Sequence, residues 1–181
     1  STGGTVAITE IMKEIHPQAP GIILLQHLPG IFASSFVSSL QQVSRIRVKE
    51  AENGDPIISG QALLVSGGKS LKVKRSGAKY LAETGPPLSH SIYNPSIDHT
   101  FFSVAEAVGE NAMGIILTGM GSDGAEGLKA MRLAGAYTIA QDEKSSVIYG
   151  MPQKAWEIKA AVKKVSLGRV PSEIHNWARI R

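Results

Sequence analysis

The sequence predicts an α/β fold: a doubly wound, mostly parallel sheet with helices on both faces and a small antiparallel hairpin insertion. Three observations lead there. Continuous apolar runs at Gly21 to Gln26, Met113 to Thr118 and Tyr137 to Ala140 have the pattern of strands buried on both faces. Segments with apolar residues at helical spacing alternate with them, as in repeated βαβ units. The middle of the chain breaks that rhythm with short strand-like pieces separated by glycine turns.

Taken in order, Gly4 to Ile15 carries Val6, Ile8, Ile11, Met12 and Ile15 near helical spacing and ends before Pro17. The first buried strand follows at 21–26, then a helix from Ile31 to Val43 presenting Phe32, Phe36, Val37 and Leu40. Arg45 to Lys49 alternates like a strand, with Ile46 and Val48 on one face. Ala62 to Ser66, Leu71 to Lys74 and Tyr80 to Glu83 are short extended pieces, read together as an antiparallel hairpin or meander. Thr84 to Asn94, with Pro86-Pro87, is expected to be loop. Ser96 is a good N-cap for a helix bearing Phe101, Phe102, Val104, Ala105 and Val108. The strand at 113–118 leads to a helix from about Asp123 to Leu133 that stops near Gly135. After the strand at 137–140, Pro152 opens a further helix in the favoured first-turn position.

Length and composition narrow the function classes. The 181 residues suit one domain, taken as 1–181, with a real core. No run of about 18 apolar residues occurs, so membrane insertion is not expected. With no cysteine, disulfides, thiolate metal sites and cysteine nucleophiles all drop out, which fits a cytoplasmic protein. The net charge of +4 favours an acidic partner, but the basic residues are scattered, so no nucleic-acid site is expected.

Ligands of open α/β sheets bind beyond the carboxyl ends of the strands. That rule selects Gln26-His-Leu-Pro29, Thr118-Gly-Met-Gly-Ser-Asp-Gly124 and Gln141-Asp-Glu143. Ser1-Thr-Gly-Gly4, entering the first helix, is a fourth place, because small residues after a nucleophile let backbone N–H groups approach a substrate. His27 lies immediately beyond a buried strand, whereas His16, His90, His99 and His175 read as surface or capping residues. Asp123 either begins a helix or orients an imidazole. Asp98 competes for that second role, but a first-turn charge behind Ser96 explains it more simply. Two other readings stay open on the residues alone. Gly119-x-Gly121-x-x-Gly124, with Asp142 after the next strand, matches a dinucleotide fingerprint, though poorly placed in the chain. Ser1 could also act as a free N-terminal nucleophile.

Taken together, Ser1-Thr-Gly-Gly4, Gln26-His-Leu-Pro29, Ile116-Leu-Thr-Gly-Met-Gly-Ser-Asp-Gly124 and Ala140-Gln-Asp-Glu-Lys-Ser-Ser-Val-Ile-Tyr-Gly-Met-Pro152 resemble the CheB-type chemotaxis methylesterases, in order and over nearly the whole chain. The resemblance implies a catalytic triad of Ser1, His27 and Asp123, with the Met120 N–H and Thr2 at the oxyanion. It implies hydrolysis of glutamyl methyl esters on chemoreceptors, with glutamine deamidation open to the same chemistry, and no cofactor. The implied partners are methylated cytoplasmic receptor helices and a receiver domain upstream in the full-length protein, the enzyme being a monomer. A strand ending Gly-Ala before the serine is also implied; the given residues begin after it. Leu88 to Asn94 falls outside the pattern and takes no role from it.

Overall fold

The computed structural model describes residues 3–180; Ser1, Thr2 and Arg181, and with them the expected roles of Ser1 and Thr2, lie outside the described residues. Two parallel three-stranded sheets form the frame. In the first, β1 (Ile22–Leu25), β2 (Arg47–Glu50) and β3 (Gln61–Val65) are ordered β1-β3-β2. In the second, β6 (Met113–Ile116), β7 (Tyr137–Gln141) and β8 (Lys163–Val165) are ordered β6-β7-β8. Between them in sequence comes an antiparallel pair, β4 (Ser70–Ser76) with β5 (Lys79–Gly85).

Helices cover the sheets because each carries one apolar stripe that must be buried. The helices α1 (Gly4–Glu14), α2 (Ala33–Val43) and α6 (Val170–Trp177) contribute Ile8, Met12, Leu40 and Ile174 to one core, shared with Val48 and Ile139 of the strands. The helices α3 (Ile97–Ala107), α4 (Ala125–Leu133) and α5 (Met151–Glu157) build a second core around Ile116, Leu128, Met131 and Ala155. A fully buried leucine such as Leu128 contributes about 1.5–3 kcal/mol. The hairpin docks on α3 through Leu71 and Val73, and two buried hydroxyls complete that contact. Thr100 Oγ1 donates to the Leu71 carbonyl at 2.7 Å, and Ser103 Oγ accepts from the Val73 N–H at 2.8 Å.

The central strands β3 and β7 are buried almost throughout, as a parallel sheet with two covered faces requires. The runs at 22–25 and 113–116, expected to be equally buried, are only partly so. Among the described residues β1 pairs with β3 alone and β6 with β7 alone. Both strands line one apolar channel of about 520 Å³, which α1 and α3 also flank through Ile8, Met12, Phe101 and Val104.

Two expectations are corrected. The segment at 62–66 does not join the hairpin; as β3 it lies between β1 and β2, parallel to both. A short apolar strand carries no mark of its partner's direction, and the Gly67-Gly68 turn that follows suggested the wrong one. Thr84 and Gly85 are likewise strand rather than loop, paired with Leu71 and Ser70. The remaining boundaries fall within one or two residues of the expected ones, except that Gly30–Phe32 forms a separate 3-10 turn before α2 and α4 begins only at Ala125. β8 and α6 have no counterpart in the sequence reading.

Two histidines away from the strand ends, His16 and His175, serve the backbone. His175 Nε2 accepts from the His16 N–H at 3.1 Å, and His16 Nδ1 accepts from the Gln18 N–H at 3.0 Å. Burial, then the neighbouring His16 and Arg45, hold the His175 imidazole below its usual range, consistent with its acting as an acceptor.

Candidate active site

His27 stands where β1 leaves its sheet. The Gln26 N–H still donates to the Val65 carbonyl, after which the chain turns and Gly67 N–H donates to the Leu28 carbonyl at 2.6 Å. Glycine is required at position 30, because a Cβ there would stand 2.6 Å from the Gly67 carbonyl oxygen. This turn leaves the His27 side chain 15 % exposed.

Asp123 comes from the loop after β6. That loop is tied to segment 141–151: Gly119 N–H donates to the Ile148 carbonyl, and Gly150 and Met151 N–H groups donate to the Gly119 carbonyl. Thr118 Oγ1 donates to the Ile148 carbonyl and accepts from the Ile148 N–H, both at 3.0 Å. The Thr118 N–H donates to Gln141 Oε1 at 2.8 Å. The stretch at 140–152 is therefore the scaffold of the glycine loop. Gly121 and Gly124 both have left-handed backbone, with φ of +92° and +96°, which lets the chain double back and aim the Asp123 carboxylate inward.

The two halves of the molecule meet at the site. Asp123 Oδ2 lies 2.7 Å from His27 Nε2, and the carboxylate is almost wholly buried. An ionised carboxylate can only accept, so Nε2 carries the proton and Nδ1 is the basic nitrogen. Asp123 Oδ2 also accepts from the Ile97 N–H at 2.9 Å, and Oδ1 from the Asp98 N–H at 3.1 Å. Asp123 thus caps α3, not the helix that follows it in sequence, and the positive end of α3 favours its charge.

Asp98 returns the arrangement. Its Oδ1 accepts from the Gly124 N–H at 3.1 Å and the Gly127 N–H at 2.7 Å, so it caps α4. Burial pushes its carboxyl above the usual range, opposed by the bond from Gly127 and reinforced by the charge of Asp123. The close approach of the two helices needs glycine at 127, where a Cβ would lie 2.6 Å from that of Phe101. Sequence reasoning gave Asp98 a first-turn charge in its own helix; the missed feature is that each carboxylate serves the other's helix. Replacing Asp98 by alanine leaves two N–H groups without their acceptor. It is expected to lower unfolding stability by about 1–3 kcal/mol, read from the urea midpoint.

The start of α1 reaches the same place. Gly3 has φ of +79°, and a Cβ on it would meet Val147 at 2.8 Å and Thr118 at 3.2 Å. A Cβ on Gly4 would lie 2.7 Å from Gln26 Oε1. The two glycines following Ser1 and Thr2 are thus wedged between the loop after β1 and the loop after β6. His27 and Asp123 are brought together; Met120, 68 % exposed, lies on the loop that carries Asp123. Asp142 Oδ1 accepts from the N–H and hydroxyl of Ser145 at 3.0 and 2.6 Å, closing its own turn. Among the described residues no group of three or more His, Asp or Glu side chains is placed to hold a metal ion.

The family model for CheB methylesterase matches residues 1–174. The chain belongs to the CheB methylesterase family. This CheB-family chain is 48 % identical, over its whole length, to protein-glutamate methylesterase/protein-glutamine glutaminase 2 of Shewanella denitrificans, of which it covers 51 %. It is 45 % identical to the similarly named protein of Hahella chejuensis, with 94 % of this chain and 46 % of that protein covered. The chain therefore spans about half the length of these relatives. The crystal structure of the Thermotoga maritima CheB methylesterase catalytic domain superposes with a TM-score of 0.92 at 28 % identity, covering 97 % of this chain and 93 % of that one.

Proposed function

We propose that this chain is a serine hydrolase that demethylates glutamyl methyl esters on chemotaxis receptors, with Ser1 as nucleophile, His27 as base and Asp123 as the group that orients the imidazole. The observation that carries this reading is the buried 2.7 Å contact between Asp123 and His27 Nε2, beside the glycine turn that follows Ser1. Nδ1 of His27 takes the proton from the Ser1 hydroxyl as its oxygen attacks the ester carbonyl. The Met120 N–H, assisted by Thr2, stabilises the oxyanion. His27 returns the proton to the leaving methoxide, and methanol departs. Water then attacks the acyl-serine by the same route and releases the glutamate. A glutamine side chain enters the same sequence with ammonia leaving instead of methanol, in keeping with the double names of the relatives.

A protein substrate is favoured over a small ester by the rim. Ile92, 90 % exposed, lines the cleft that holds His27, and Met120, 68 % exposed, lies on the loop that carries Asp123. Exposed apolar side chains at these places suit the face of a receptor helix. The chain's positive balance suits an acidic helix in the cytoplasm. The apolar channel between β1 and β6 has the lining of a parallel strand position, and in this reading the segment preceding Ser1 occupies it and holds the serine. The added length of the relatives leaves room for a receiver domain upstream. No helix among the described residues is long and apolar enough to cross a membrane.

The deciding experiment is methanol release from methylated chemoreceptor, run with and without an organophosphorus fluoridate that esterifies activated serines. Methanol is expected in step with demethylated glutamate, and the probe should add to Ser1 and stop release. A folded protein that releases no methanol and takes no label at Ser1 would sink the proposal.

A further inference from the structure

We propose that Tyr93 is a positioning residue for His27, holding the imidazole by ring stacking and joining the two loops that carry His27 and Asp123. This rests on the hydrolase reading above and names a residue from the segment for which the sequence offered no role.

The ring of Tyr93 lies nearly parallel to that of His27, with centroids 5.3 Å apart and an interplanar angle of 15°. Its far end reaches the other loop: a Cβ built on Gly121 would lie 3.0 Å from the Tyr93 hydroxyl oxygen. One aromatic side chain therefore covers a face of the imidazole and touches the loop of Asp123. The loop that supplies it is itself fastened. Ser91 Oγ donates to the Tyr93 carbonyl at 3.0 Å and accepts from the Tyr93 N–H at 3.1 Å. Asn94 Oδ1 accepts from the Gly68 N–H at 3.1 Å, tying the loop to the turn beyond β3. His27, Leu28, Gly68, Tyr93 and Asn94 line a common cleft of about 400 Å³ at the surface.

The bond to Asp123 acts at one atom of the imidazole. A stacked aromatic face adds contact over the whole ring plane and opposes its tilting, without competing for either nitrogen. The same electron-rich face favours the imidazolium that forms while the serine proton is in transit. Stacking needs the ring and not the hydroxyl, so phenylalanine should substitute and an aliphatic residue should not.

The test compares Tyr93→Phe and Tyr93→Leu in the purified protein, using methanol release and the ring-proton resonances of His27. With Tyr93→Leu, kcat is expected to fall about three- to tenfold with KM within about a factor of two, the size of an aromatic pair interaction. The His27 ring protons should lose their upfield ring-current shift. Tyr93→Phe should keep both the shift and the rate. A Tyr93→Leu protein with unchanged His27 resonances overturns the stacking, whatever the activity. Altered resonances with unchanged kcat overturn the positioning role. Should the wild-type protein release no methanol at all, the hydrolase reading fails, while the resonances still decide whether the rings stack.

Discussion

Asp123→Asn is expected to lower kcat for ester hydrolysis by about 10³- to 10⁴-fold, with KM changed by less than about threefold. The reason is a count of donors and acceptors. Asp123 accepts three hydrogen bonds through two oxygens: His27 Nε2 and the Ile97 N–H at Oδ2, and the Asp98 N–H at Oδ1. Asparagine supplies one oxygen and one NH₂ group, so one of those sites must receive a donor. With the NH₂ toward His27, Nε2 becomes the acceptor and the ring proton moves to Nδ1, which can no longer take one from serine. The Ile97 N–H is then also opposed by a donor. With the oxygen toward His27, the tautomer is kept, but the NH₂ faces the Asp98 N–H and the imidazolium loses its countercharge. Both orientations cost about 1–3 kcal/mol of stability for the orphaned buried N–H, so the urea midpoint should fall together with kcat. A variant that retained more than about a tenth of the rate would show that Asp123 is a helix cap and not part of the catalytic machinery.

Ser1→Ala is expected to remove at least about 10⁴-fold of kcat with no loss of folding stability, because alanine cannot form the acyl intermediate. Residual hydrolysis would come from the oxyanion site and substrate binding alone. Residues that act as one unit are far from additive, so the double variant Ser1→Ala with Asp123→Asn should be about as slow as Ser1→Ala alone. Single-turnover methanol release on the four proteins checks this. Losses that multiplied in the double variant would mean that the serine and the aspartate work in separate steps.

Much of the fold was legible because the physical signals were local. The runs at 113–118 and 137–140 carry their own strand pattern, Ser96 caps α3 as its hydroxyl predicts, accepting from the His99 N–H at 3.2 Å, and Pro152 opens α5. The place of His27 at a strand end was legible for a similar reason, since the end of an apolar run can be read along the chain. Tyr93 was not legible: a tyrosine in a polar loop carries no mark of which ring it will face.

The residues by themselves determined the alternation of strands and helices, the glycine turns and the short motifs that mark the family. These depend on side-chain period, backbone freedom and spacing, all of which are properties of neighbours in sequence. Only the tertiary structure decided that β3 runs parallel between β1 and β2, that Asp98 and Asp123 exchange helix caps, and that Tyr93 stacks on His27. Each of those pairs residues from different segments, and hydrogen-bonding capacity names what a side chain can accept without saying which distant backbone will offer it.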